Sequence, residues 1–303
     1  MNDSRLPPLA TAQVRIRSAL GPFRQFVGRR FILPVLAADP MRRATLSLAR
    51  RRYALGDRPR RLIGGFLAVA QPTGEERAAL SHSLVELFFD LIPAAGTSVF
   101  VEAGAKEASA SLRAIESGVS TVVAFEANPY THRRFAATVG AAGLDYRHAA
   151  LATETGEATF LVRLRADGSA IADGQGSLLV RPDHQPGYEE VTVRAVTLDD
   201  QIAGDGRIAM WVDVEGAVAE VFGGGDRVLR RTDLLIVEVE TVAKWSGQRW
   251  LVADVEAHLA KLGLEPVAAD MQSRRQFNVL YVRSELLELP SIDALLERWR
   301  TGH

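Results

Sequence analysis

The chain contains no cysteine, which excludes disulfides, thiolate metal sites and a cysteine nucleophile and fits a reducing compartment. Long apolar runs are missing too. The longest near the N-terminus, residues 31–38 and 62–70, fall far short of the ~20 residues that cross a bilayer, so no transmembrane span is expected there. Arg15 and Arg17 interrupt any early apolar region, and a signal peptide is not expected either. Acidic residues are scarce in the first 61 positions, where 14 arginines face only Asp3, Asp39 and Asp57. That head carries a net charge of +11 and the remainder −12, an asymmetry hidden in the overall −1. No aromatic interleaving or nucleic-acid motif accompanies the arginines, so a nucleic-acid partner is not expected. Internal repeats are absent.

What is present describes one large domain, or a domain with an appendage. The 303 residues are 47% hydrophobic and 24% charged, enough to bury a sizeable core. A cytoplasmic protein is expected. Residues 1–72 read as a basic, helical extension punctuated by proline, with Arg42, Arg43, Arg50, Arg51 and Arg52 clustered in it. It either offers a patch to an anionic partner, a membrane surface being one, or packs as a solvated extension on the acidic body. The second reading is favoured. Residues 73–303 form the main domain.

Residues 98–129 organise that domain. A β-branched run reaches Glu102-Ala-Gly-Ala-Lys-Glu-Ala108, a helical segment follows, and a second run ends at Glu126-Ala-Asn-Pro129. Strand, glycine turn, helix, strand, acidic residue is the form of a nucleotide-binding βαβ unit. A second glycine is missing, which weakens a dinucleotide reading. Upstream, Thr73-Gly-Glu-Glu76 is a capping box that opens a helix, which Pro93 is expected to stop. Downstream, residues 145–151 read as one strand. Residues 158–163 and 190–196 alternate as antiparallel strands do. The glycine-rich loop between them is either a substrate lid or disordered. Strands at 208–216 and 233–240 and a closing pair at 266–269 and 277–282 complete the pattern.

In a strand, residues i and i+2 share a face. Asp213 with Glu215, and Glu238 with Glu240, therefore crowd one edge if their strands are neighbours. Buried like charges need a compensating cation. The candidates are a divalent metal, the protein's own Lys244, Arg249, Arg274 or Arg275, or a cationic ligand. A metal ligand set is not predicted.

Together, residues 99–106, 125–129, 196–200, 211–216 and 235–240 resemble the FkbM family of methyltransferases, and the resemblance covers about residues 85–284. It implies an α/β class I methyltransferase fold, Rossmann-like: a seven-stranded, mostly parallel sheet with an antiparallel last strand. It implies S-adenosylmethionine as cofactor and, as acceptor, a hydroxyl of a sugar, glycan or natural product. Carried over by position, Glu102, Gly104, Ala105 and Lys106 line the cofactor's amino-acid end. Glu126, with Asn128 beside it, takes the ribose, and Ala150 lies near the adenine. Asp213 is the catalytic base or orients the hydroxyl, with Glu215 second and His148 a weaker candidate. The family's first motif has Asn where this chain has Lys106 and Gly where it has Ala108. Lys106 either pairs with the cofactor's carboxylate or blocks its pocket. Blockage would imply a cofactor-binding or scaffolding protein without turnover.

Overall fold

The computed structural model describes residues 73–171, 175–273 and 275–301. The basic extension expected over 1–72, and Arg274, lie outside the described residues. The domain opens with α1 (Gly74–Ala95), whose capping box is formed: Thr73 Oγ1 accepts from the Glu76 N–H at 3.2 Å, and the Glu76 carboxylate accepts from the Thr73 N–H at 2.6 Å. The helix does not stop at Pro93. It runs one short turn further to Ala95 and ends on Gly96 at φ +66°, because a proline in a last turn removes only one N–H and leaves the chain helical. By length and composition α1 is apolar enough to cross a membrane, and half of that stretch is buried inside the protein. Its Leu80, Leu84, Leu87, Phe88 and Leu91 belong to the core.

In chain order the remaining elements are β1 (Val99–Ala103), α2 (Ser109–Glu116), β2 (Thr121–Glu126), α3 (Pro129–Gly140), β3 (Asp145–His148), β4 (Ala150–Leu151), β5 (Gly156–Arg163) and β6 (Tyr188–Val196). Then come α4 (Leu198–Gln201), β7 (Ile208–Val212), α5 (Val218–Gly223), α6 (Asp226–Arg230), β8 (Thr232–Glu240), α7 (Val252–Lys261), β9 (Leu264–Ala269), β10 (Gln276–Arg283), a 3-10 helix (Ser284–Glu288) and α8 (Pro290–Thr301). Seven strands form one sheet in the order β3-β2-β1-β7-β8-β10-β9. Only β10 runs against its neighbours β8 and β9, so the expected seven-stranded sheet with an antiparallel last strand is present. Strands β1 and β8 are buried along their whole length, as central strands covered on both faces must be.

Three local expectations change. Residues 145–151 are two strands, not one: β3 stays in the main sheet, while β4 leaves it to pair with β6 in a second sheet of order β4-β6-β5. The helix after residue 216 is broken at Gly224, where a Cβ would stand 2.2 Å from the Ala152 carbonyl oxygen. Strand β7 ends at Val212, so Asp213 and Glu215 follow the strand instead of extending it.

The order reverses between β1 and β7. From β1 the chain winds outward through β2 and β3, and from β7 through β8 to the far edge. The crevice beyond the carboxyl ends of such strands is where open α/β sheets bind ligands.

Candidate functional site

A cleft of about 540 Å³, open to solvent, lies at that reversal. The ends of β1, β2 and β7 supply Gly104, Glu126, Asn128 and Asp213 to its wall, and the stretch around β4 supplies Ala149, Ala150 and Leu151. Gly104, Glu126, Asn128, Ala150 and Asp213 are among the residues singled out from the sequence. Phe125, Ala127, Phe160, Gly176, Leu178, Val214 and Ala217 complete the lining and were not foreseen.

Gly104 is at φ +79°, and a Cβ there would stand 1.8 Å from the Asp213 carbonyl oxygen. Only glycine fits. The close approach is between two loops of the protein itself, and Asp213 N–H donates to the Ala103 carbonyl at 2.9 Å in the same place. Glu126 is buried. Its Oε2 accepts from the Lys106 N–H and its Oε1 from the Asn128 N–H, both at 2.7 Å. Burial pushes its carboxyl up to about 7 despite those two bonds. Asn128 caps α3 through Oδ1 and donates Nδ2 to the Ile171 carbonyl at 3.2 Å.

Glu102 does not line the cleft. Its Oε2 accepts from the Ser111 N–H at 2.8 Å and the Ser111 hydroxyl at 2.5 Å, which ties β1 to the start of α2. Ala105 is buried in a small core cluster with Ala108. Lys106 does not line the cleft either: its Nζ lies 3.3 Å from the Glu107 carboxylate, so the cavity is not blocked by it. Lys106 and Ala108 are at φ +48° and +55°, a left-handed backbone that asparagine and glycine adopt far more readily. His148 stacks on His132 at 5.0 Å and faces the Ala127 carbonyl at 3.1 Å, and burial lowers its pKa.

The four acids expected at one edge do converge, since β7 and β8 are parallel neighbours. Asp213, Glu215 and Glu238 each offer an oxygen, all within 4.8 Å of one another. The i, i+2 rule is not the cause on the β7 side, because Glu215 stands in a turn at φ +48°. Its carbonyl accepts from the Ser177 hydroxyl at 2.7 Å, and Gly216 next to it packs under the Trp245 ring, where a Cβ would stand 2.6 Å away. Glu238 Oε1 accepts from Gln276, and Glu240 Oε2 from Gln248 at 2.7 Å. Burial first, and the neighbouring carboxylates next, push Asp213 up to about 7 and Glu215 to about 8. Burial likewise leads in raising Glu238 to about 8 and Glu240 to about 7.

The methyltransferase FkbM domain matches residues 99–266, more than half of the chain. The chain belongs to the FkbM methyltransferase family. No curated protein matches it. Among solved structures, a magnesium protoporphyrin IX methyltransferase from Synechocystis PCC 6803 with bound S-adenosylmethionine is 12% identical, over 72% of this chain and 88% of its own, with a TM-score of 0.36. A precorrin-6y C5,15-methyltransferase from Geobacter metallireducens GS-15 is 14% identical, over 71% of this chain and 93% of its own, with a TM-score of 0.35.

As an FkbM member the chain is a methyltransferase whose cofactor is S-adenosylmethionine. The cleft fits that molecule. Leu151, Phe160 and Leu178 offer apolar cover for an aromatic base, and each Glu126 oxygen keeps a lone pair beyond its backbone bond. Sequence reasoning missed Phe160, Gly176 and Leu178 because they come from the second sheet and its long loop, where no spacing rule fixes what lies over the cleft.

Proposed function

We propose that this FkbM methyltransferase transfers the methyl group to a hydroxyl of a sugar, glycan or natural product, with Asp213 as the base. One observation carries the reading. Asp213 borders the cleft, and its carboxyl accepts no hydrogen bond from any described residue and is pushed by burial to about 7. A carboxyl of that kind can take a proton near neutral pH, where its ordinary value would make it a poor base. S-adenosylmethionine supplies an electrophilic methyl group, and the protein has to align an acceptor oxygen with it. Alignment alone can be worth ~7–11 kcal/mol.

The remaining residues take roles that follow from their positions. Glu126 holds the ribose hydroxyls through its spare lone pairs, with Asn128 fixing the loop beside it. Gly104 lets the turn at the amino-acid end close against the Asp213 backbone, Ala105 and Lys106 shape that turn, and Ala150 lies against the adenine. Glu102 acts one step back, by holding β1 to α2. Glu215 stands next to Asp213 in the acidic cluster and helps keep its pKa high.

Asp213→Asn tests the proposal. Turnover should fall by roughly 10²–10⁴, the usual worth of a general base, while calorimetry shows S-adenosylmethionine bound with nearly unchanged affinity. Undiminished turnover sinks the assignment of the base. Products formed with isotopically labelled cofactor should carry the methyl on oxygen by NMR; methyl on nitrogen or carbon would overturn the acceptor class.

A further inference from the structure

The acidic cluster is larger than one general base requires. Three carboxylates converge on a point, and Glu240, a fourth carboxylate outside that triad, gives the decisive observation. Glu240 is 2% exposed, and its Oε1 is buried with no hydrogen-bond partner. Its charge bears on both Asp213 and Glu215. Buried acceptors are nearly always satisfied, and an orphan within electrostatic reach of three further carboxylates calls for something positive among them.

The protein's own cations do not supply it. Lys244, Lys106 and Arg181 bear on the cluster from a distance, but Lys244 Nζ is bound to the Gln276 side chain, Lys106 Nζ lies 3.3 Å from the Glu107 carboxylate and Arg181 pairs with Asp183 at 2.9 Å. Arg249 pairs with Glu220 at 3.1 Å. Among the described residues no ion pair within 4.0 Å reaches Asp213, Glu215, Glu238 or Glu240. Cations held by other partners do not neutralise four carboxylates, and each such charge removed from water costs several kcal/mol unless the group takes up a proton instead.

We infer that Asp213, Glu215 and Glu238 bind one divalent cation, with Glu240 completing the charge on its β8 side. The donor set is oxygen only, with neither histidine nor cysteine, which selects a hard ion such as Mg²⁺, Mn²⁺ or Ca²⁺ over zinc. Oxygens around one such ion lie about 2.0–2.6 Å from it, so two of them stand at most ~5 Å apart, the spacing found here. Because Asp213 also borders the cleft, the ion would sit beside the acceptor and lower the pKa of an acceptor hydroxyl on its open side. It would use one Asp213 oxygen while leaving the other to take the proton; the raised Asp213 value belongs to the metal-free protein. The binding claim stands on the carboxylates and does not depend on the acceptor being a hydroxyl compound.

Chelator-stripped full-length protein titrated by calorimetry with MnCl₂, MgCl₂ and CaCl₂ should show one saturable site per chain. Millimolar salt of the same ions should raise Tm. Glu238→Gln removes one ligand and one buried charge. Without metal it should melt at or above the parent temperature, because repulsion is relieved. Its Mn²⁺ affinity should drop at least tenfold, more than ~10-fold being usual even for outer partners of a metal. S-adenosylmethionine titrated in the same experiment reports whether each protein is folded and binds cofactor. Intact cofactor binding with no saturable cation binding up to ~10 mM, above the weakest range for protein calcium sites, overturns the inference and leaves the methyltransferase reading untouched. So does cation binding that survives both Glu238→Gln and Glu215→Gln.

Discussion

Ala108 occupies a left-handed position at the start of α2, φ +55°, with no side-chain cap. An L-residue with a Cβ is strained there by roughly 1–2 kcal/mol, and glycine is not. Ala108→Gly should therefore stabilise the protein by about 0.5–1 kcal/mol once the greater freedom of the unfolded glycine is subtracted. Urea unfolding measures it, and a loss of stability would mean that the buried methyl packs better than its backbone angle costs. Residue types at this site were legible in the sequence: the acids at 126 and 213, the glycine at 104, the departures at 106 and 108. Their partners were not. Glu102 looked like a cofactor residue because it occupies the right place on β1, yet whether it faces the cleft or Ser111 depends on how α2 docks, which no spacing encodes.

At the scale of elements, the loop between β5 and β6 is the informative one. Read as lid or disorder, its described residues are in fact strapped across the strand ends. Ile171 accepts from Asn128, Ser177 pairs with Leu161 and donates to Glu215, and Val180 bridges to Ser246. Gly176 and Leu178 of this strap line the cleft. Ser177→Ala removes the hydroxyl that joins Glu215 and the Leu179 N–H. Losing such a bond is worth about 0.5–1.5 kcal/mol, so cofactor affinity should weaken by ~2–10-fold while Tm changes little. Equilibrium dialysis checks this; unchanged affinity would show that the strap is held without Ser177. Strand and helix identities followed from hydrophobic period and caps. The departures at Pro93, at β3–β4 and at Gly224 arose where a terminal turn or a close tertiary contact outweighed local preference.

For the whole molecule, the sheet order was legible because alternating strands and helices leave few topologies open, and the family resemblance covered the same stretch. Net stability should depend on pH in an uncommon sense. Glu256 of α7 is buried with both oxygens unpartnered, and burial pushes it from 4.5 to about 7. The folded state then holds a proton between those values that the unfolded chain releases. Its contribution is fully present below about 4.5 and is lost as pH rises towards 7. Glu256→Gln should raise Tm relative to the parent at pH 8 and change it little, or lower it, at pH 4.5. Equal shifts at both pH values would refute the titration.

Gly104 has no room for a side chain because the Asp213 carbonyl stands where a Cβ would be. The half of the domain that holds the cofactor and the half that carries the proposed base are thus joined backbone to backbone, within one atom's width. They are not interchangeable modules. A chimera that grafts the 99–129 unit of another methyltransferase onto this chain has to import the loop at 213–216 with it, since the two were shaped as one piece.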